Sequence, residues 1–275
     1  MQQPGSPINV AISPCPNDTF AFCSLRHNPA YRLHYLDIEE LNLGLLEARF
    51  PISKGSFSLV DRIAGSYDLL PVGAAIGRGV GPVLVGRLFD GCRLALPGEN
   101  TTAHRLFHFY RKTVHPAMQL TQRQMPFFEI LPALRRNEIE AAVLIHEGRF
   151  VYAREGLALI EDLGDWYEKK TGAMIPLGAI YAHKDLPDKT VTAFTTALRQ
   201  GIHNSRVAYN AKSSPYSLEI LPFMLEKAQE HETAVVEAHV DTYVTADTEN
   251  LSAEAVKSID VFRLHCLGQA DQIPL

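Results

Sequence analysis

The stretch INVAISPCPNDTF (8–20) opens as an apolar run and stops at Ser13, where two prolines, a cysteine and three small polar residues follow. The run reads as a buried strand over 8–13. Pro14 and Pro16 fix φ on either side of Cys15, so the run ends in a rigid strand-end turn that presents Asn17, Asp18 and Thr19. A surface loop would tolerate this composition without needing it. The wall of a small-molecule cleft would need it. Outward from this point, further strand-like runs occur at 31–38, 67–73, 82–89, 93–98, 117–122, 141–146, 157–163 and 176–183. Helical spacing of apolar residues appears between them at 41–50, 102–113 and 129–139. Strands alternating with helices specify an α/β protein with a mainly parallel sheet. Past residue 185 the strand signal fades, and 188–209, 214–231, 232–244 and 252–268 read as successive amphipathic helices.

Two glycine- and proline-flanked strand runs, near 89–100 and 171–185, suit crossings between lobes. They predict a larger discontinuous lobe of 1–91 plus 185–275 and a smaller inserted lobe of 92–184, with a cleft between the two. The 275 residues are enough for both cores. A net charge of −5 and the lack of any Lys/Arg-rich run argue against a nucleic-acid partner. No apolar run approaches the ~20 residues of a membrane span, and MQQPGSPINV (1–10) has neither a basic nor an apolar leader region. Cys15, Cys23, Cys92 and Cys266 have no paired or metal-binding spacing, which suits a reducing cytoplasm. The sequence leaves a homodimer open.

In parallel α/β sheets ligands sit beyond the carboxyl ends of the strands. Five strand ends here are followed by small polar residues, glycine or one ionisable group: 13–19, 53–56, 73–82, 99–102 and 146–149. Ser53-Lys54-Gly55-Ser56 and Asn100-Thr101-Thr102 each precede a helical pattern, where free N–H groups beside hydroxyls suit a carboxylate or phosphate. The same residues also suit plain helix caps. GAAIGRGVGP (73–82) lacks the order of a nucleotide-binding loop, and its glycines are expected to permit close backbone approach. His146 ends the run AAVLIH (141–146), where an imidazole can serve as general base or be satisfied by backbone. The sequence has no HExxH motif and no three-ligand cluster, so no metal is expected, and no serine sits in a nucleophile elbow.

SPCPNDTF (13–20), GAAIGRGVGP (73–82), TTA (101–103), IHEGRF (145–150), TGAMIPLGAI (171–180) and EAHVDTYVT (237–245) occur in an order that resembles the 1,4-dihydroxy-6-naphthoate synthases of the futalosine route to menaquinone. The resemblance covers most of the chain. It implies a two-lobed α/β fold of the periplasmic-binding-protein type II kind. It implies conversion of cyclic dehypoxanthinylfutalosine, a small-molecule carboxylate, to 1,4-dihydroxy-6-naphthoate without metal or organic cofactor. The family's proton-abstracting histidine falls on His146. Its Ser/Lys substrate loop falls on Lys54, Gly55 and Ser56, and its second substrate turn on Thr102 and Ala103, beside Thr101. Asn17, Asp18 and Thr19 then shape and bind rather than react. Gly55 departs from the larger apolar residue expected there, and GEN (98–100) replaces a more usual basic residue, so pocket shape and charge differ. The competing readings are the sister activity of the pathway, chorismate dehydratase, and a solute-binding protein without catalysis.

Overall fold

The computed structural model of the chain describes residues 6–268. The leader reading of the first residues and the outer ends of the lobe division, at 1 and 275, lie outside them. The chain starts with β1 (Ile8–Ile12), α1 (Pro16–Phe22), β2 (Tyr31–Tyr35), α2 (Ile38–Leu46), β3 (Ile52–Ser56) and β4 (Tyr67–Leu69). Next come β5 (Ala75–Gly77), β6 (Val83–Gly86), β7 (Arg93–Leu96), α3 (Thr102–Val114), β8 (Thr121–Gln124), α4 (Phe127–Arg135) and β9 (Ala141–Leu144). A short α5 (Gly148–Val151), β10 (Leu159–Asp162), α6 (Leu163–Thr171) and the long β11 (Ile175–His183) follow. The last third is helical: α7 (Asp188–Asn210), α8 (Leu221–Lys227), α9 (Thr233–Tyr243), α10 (Ala246–Glu249) and α11 (Ala253–Phe262).

These elements form two compact units, and the chain passes from one to the other at 75/76, 177/178 and 251/252. The crossings expected at 91/92 and 184/185 therefore fall earlier, and the C-terminal helix changes sides. Pairing explains both shifts. β6 (Val83–Gly86) is hydrogen-bonded to β9 and β10, which ties this stretch, well before residue 92, to the second sheet. In α11, Phe262 is buried against Tyr167 of α6, with ring centroids 6.3 Å apart.

The first unit holds a sheet of order β2-β1-β3-β11-β4, with β5 paired to β11 beside it. The second holds β10-β6-β9-β7-β8. The sheets are mixed, not mainly parallel. Strands joined by a helical crossover pair in parallel, as β1 does with β2 and β3, and β7 with β8 and β9. β11 runs antiparallel to β3 and β4, and β6 antiparallel to β9 and β10. Local sequence sets the helix starts. Asp37 caps α2 by accepting from Glu39 N at 2.8 Å while Glu40 accepts from Asp37 N at 3.1 Å, a reciprocal pair that satisfies two exposed donors. Val10, Ile12, Phe22, Ile180, Phe194 and Leu198 form the centre of the first core. Leu94, Leu106, Phe107, Val143, Tyr167 and Phe262 form the centre of the second. Among the described residues no helix is long and apolar enough to cross a membrane.

Candidate active site

In the first unit β1 and β3 are parallel neighbours, with Val10 opposite Ile52 and Ala11 opposite Ser53. Their carboxyl ends therefore emerge side by side, one leading to 13–19 and the other carrying Lys54 and Ser56. The rigid turn expected over 13–20 gives way, from Pro16 on, to helix α1 (Pro16–Phe22), which is entirely buried. Pro16 occupies its first position, where the missing N–H had no intrahelical acceptor to lose. Asn17 and Asp18 thus face neighbours within the unit. Asp18 accepts Ser13 N at 3.3 Å and Ser13 Oγ at 2.8 Å on one oxygen. Its other oxygen takes Asn17 Nδ2 at 2.9 Å and Lys54 Nζ at 2.8 Å. Both members of that ion pair are almost fully enclosed, 3% exposed for Asp18 and 4% for Lys54. Thr19 spends its hydroxyl on the carbonyls of Cys15 (3.1 Å) and Pro16 (3.3 Å).

Ser53–Ser56 were expected to precede a helix; they are the strand β3 itself, followed by a short 3-10 turn at Phe57–Leu59. Pairing with β11 across all of Ile52–Ser56 outcompetes a helical start. Ser56 is held by Asn42 of α2, its N–H donating to Oδ1 at 2.8 Å and its Oγ accepting from Nδ2 at 3.0 Å. Gly55 is glycine for a local reason: a Cβ there would lie 2.2 Å from Leu45 Cδ1 and 3.5 Å from the Tyr181 ring. The larger side chain anticipated at this position has no room. Lys54 also donates to Gly73 O at 3.0 Å. An ammonium has three donors, and among the described residues these two contacts account for two of them.

In the second unit β7 and β9 are again parallel neighbours, with Leu94 opposite Ala141, so residues 97–103 and 145–149 leave from one edge of the sheet. Thr101 caps α3: its Oγ1 accepts from His104 N at 3.1 Å and donates to Gly98 O at 2.7 Å. Thr102 Oγ1 donates to Leu177 O at 2.9 Å, and Ala103 is buried. The backbone N–H of Ala103 belongs to the first turn, which has no intrahelical acceptors, so the start of α3 retains its attraction for an anion. His146 lies two residues beyond the fully buried β9 and holds φ at +51°, a left-handed conformation that costs a residue with a Cβ about 1–2 kcal/mol. Strain of this kind persists only where the surroundings impose it, and it collects at functional positions. The His146 ring meets the Phe127 ring edge-on at 4.7 Å. Glu147, 1% exposed, brings a carboxylate oxygen within 4.8 Å of a ring nitrogen of His146. Arg149 anchors this segment through an ion pair with Asp162 at 2.6 Å and a hydrogen bond to Gly81 O at 2.7 Å.

Of the glycines in 73–82, Gly77 and Gly81 approach backbone of their own unit. A Cβ on Gly77 would sit 2.2 Å from Val80 O, and one on Gly81 2.8 Å from Gly164 Cα. Close packing within the unit is what they provide.

His104 on α3 yields a pH prediction. Burial, aided by the charges of His108 and Arg105 and opposed by hydrogen bonding with Gln124, brings its imidazole down to about 4. The native ring stays neutral where the unfolded one, near 6.5, has begun to bind a proton. Its contribution to stability is complete above pH 6.5 and is lost as pH falls from 6.5 towards 4. Melting temperatures across that range should fall less steeply in His104→Gln than in the wild type; equal slopes would place the acid sensitivity elsewhere.

The structure thus gathers Asn17, Asp18, Lys54 and Ser56 into one polar neighbourhood of the first unit, and Thr101, Thr102, Ala103 and His146 onto one sheet edge of the second. Ser13, Asn42, Phe127, Glu147 and His239 went unassigned in the sequence reading. An acid directly after a strand-end histidine was a usable signal for Glu147. His239 was marked only by a histidine interrupting the helical stripe of Val235, Val236, Val240 and Tyr243.

The family described as Menaquinone biosynthesis matches residues 8–266. A protein of Thermus thermophilus named 1,4-dihydroxy-6-naphtoate synthase is 36% identical over 261 residues, 92% of this chain and 91% of the relative. Among solved structures, protein AF1704 from Archaeoglobus fulgidus superposes with a TM-score of 0.86 at 25% identity, covering 97% of this chain and 98% of that one. The Candida albicans CA3427 product, described as having the generic periplasmic binding protein fold, superposes at 0.67 with 12% identity, over 97% and 92% of the two chains. With the α/β fold of the periplasmic-binding-protein type and a match over nearly its whole length, the chain belongs to the menaquinone biosynthesis family.

Proposed function

We propose that this chain is a 1,4-dihydroxy-6-naphthoate synthase, converting cyclic dehypoxanthinylfutalosine to 1,4-dihydroxy-6-naphthoate in the cytoplasm with His146 as general base. The observation that carries the reading is His146 itself, held at φ +51° on the exit of a central strand, beside Phe127 and the buried Glu147. An imidazole is the side chain whose ordinary pKa suits proton abstraction near neutrality. The start of α3 at Thr101–Ala103 supplies N–H groups for the substrate carboxylate or for oxyanion charge that develops as the proton leaves. Lys54 and Ser56 serve as substrate-binding groups, with Asn17 and Asp18 holding Lys54 in place. His146 takes a proton from the bound substrate, and the electron pair left behind drives a carbon–carbon or carbon–oxygen cleavage. The remainder of the substrate leaves as a second product while the naphthoate becomes aromatic. These residues are asked only for the proton transfer and for charge stabilisation.

Purified protein incubated with cyclic dehypoxanthinylfutalosine, without added metal or cofactor, should give 1,4-dihydroxy-6-naphthoate by mass spectrometry. Unchanged substrate that raises the melting temperature would instead favour a binding protein. Turnover of chorismate in its place would assign the dehydratase activity.

A further inference from the structure

The segment EAHVDTYV (237–244) has no part in the activity just proposed. It lies on α9, whose apolar stripe is interrupted by His239, 1% exposed and edge-on to the Tyr243 ring at 4.9 Å. An imidazole in such a stripe costs desolvation that a leucine would not, so its polar contacts decide why it is there. His239 Nε2 lies 3.0 Å from Asn17 Oδ1. Elimination fixes the direction of that hydrogen bond. The Asp18 carboxylate can only accept, so Asn17 turns Nδ2 towards it, at 2.9 Å. Asn17 is left with its carbonyl oxygen facing His239, and Nε2–H must be the donor.

The series continues without a break: His239 to Asn17, Asn17 to Asp18, Asp18 to Lys54 at 2.8 Å, and Lys54 to Gly73 O at 3.0 Å. Gly178 borders the lysine stem closely enough that a Cβ would come 3.1 Å from Cε, which restricts how the stem can settle. The ammonium is thereby held with one of its three N–H groups unclaimed among the described residues.

We propose that His239 is a positioning residue for Lys54, acting through Asn17 and Asp18 so that the unclaimed N–H of the ammonium is kept for an oxygen of the anionic substrate. The inference rests on the activity proposed above, with Lys54 as a substrate-binding group. It predicts that His239 governs affinity more than the rate of the chemical step.

His239→Leu and His239→Gln in the full chain test it, with the wild type as control in the same assay on cyclic dehypoxanthinylfutalosine. His239→Leu is expected to raise KM about tenfold while kcat moves little, the size of effect that one hydrogen bond to a charged group carries. His239→Gln, which restores a donor towards Asn17, should recover most of the loss. Unaltered KM in His239→Leu overturns the inference, as does an equal rise in both variants, which would make the role one of packing. A wild type without turnover would refute the activity and the inference together, whereas an active wild type with an indifferent His239→Leu refutes the inference alone. Long-range 1H–15N spectra of the wild type supply a readout independent of turnover. They should show His239 as the Nε2–H tautomer; the Nδ1–H tautomer would break the series at its first link.

Discussion

Asp18→Ala is expected to destabilise the fold by about 3–5 kcal/mol, because it strands the Lys54 ammonium in a nearly closed environment. The native pair does not earn its stability from Coulomb attraction alone. Two charges taken out of water forfeit hydration that their mutual attraction barely returns. The arrangement holds because each charge is also hydrogen-bonded: Asp18 by Ser13 and Asn17, Lys54 by the Gly73 carbonyl. Removing the carboxylate leaves the cation with one carbonyl and leaves three donors, Ser13 N, Ser13 Oγ and Asn17 Nδ2, unanswered. Urea unfolding of wild type and variant measures the difference directly. The informative companion is the double change Asp18→Leu with Lys54→Met, which removes both charges at roughly conserved volume and should recover much of the loss. A loss below about 1 kcal/mol in Asp18→Ala would mean that water reaches the pair.

His146→Ala should lower turnover of cyclic dehypoxanthinylfutalosine by about 10²- to 10⁴-fold, the usual contribution of a positioned general base, and leave the dissociation constant of the substrate nearly unchanged. The backbone adds a second expectation, because alanine also carries a Cβ and inherits the left-handed strain at φ +51°. His146→Gly relieves that strain and should be the more stable of the two variants by about 1 kcal/mol, although equally inactive. Melting curves and rates on the same preparations separate the two effects. Full activity in His146→Ala would remove the residue from the chemistry.

Much of the fold was legible because β1, β7, β9 and β11 carry dense apolar runs, β2 alternates Tyr31, Leu33 and Tyr35 with polar residues, and α3 and α7 repeat at helical spacing. What escaped was decided by distant partners. β3 looks like a polar turn over Ser53–Ser56 and becomes a strand because β11 supplies its hydrogen bonds. α1 looks like a proline-broken turn, and a reading of Pro14 and Pro16 as stops overlooks that a helix can begin on the second proline. β5 is three residues long inside a glycine run and offers no periodicity to read. For the site, His146 and the α3 start stood out because strand ends and helix caps are local features. The Asn17–Asp18–Lys54–His239 series joins residues up to 222 positions apart, and no local pattern announces it.

The three passages of the chain between its units bear on how the protein is made. The first unit recruits β11 and α7–α10 to its early strands, so its core is incomplete until residue 251 has been synthesised. The second sheet is laid down by residue 177, yet Tyr167 and Phe107 wait for α11 and Phe262 to cover them. Neither unit is therefore a stretch that can finish folding as it leaves the ribosome. Such long-range closure slows folding and leaves apolar surface uncovered for most of translation, an interval in which chaperone binding and aggregation compete with the native state.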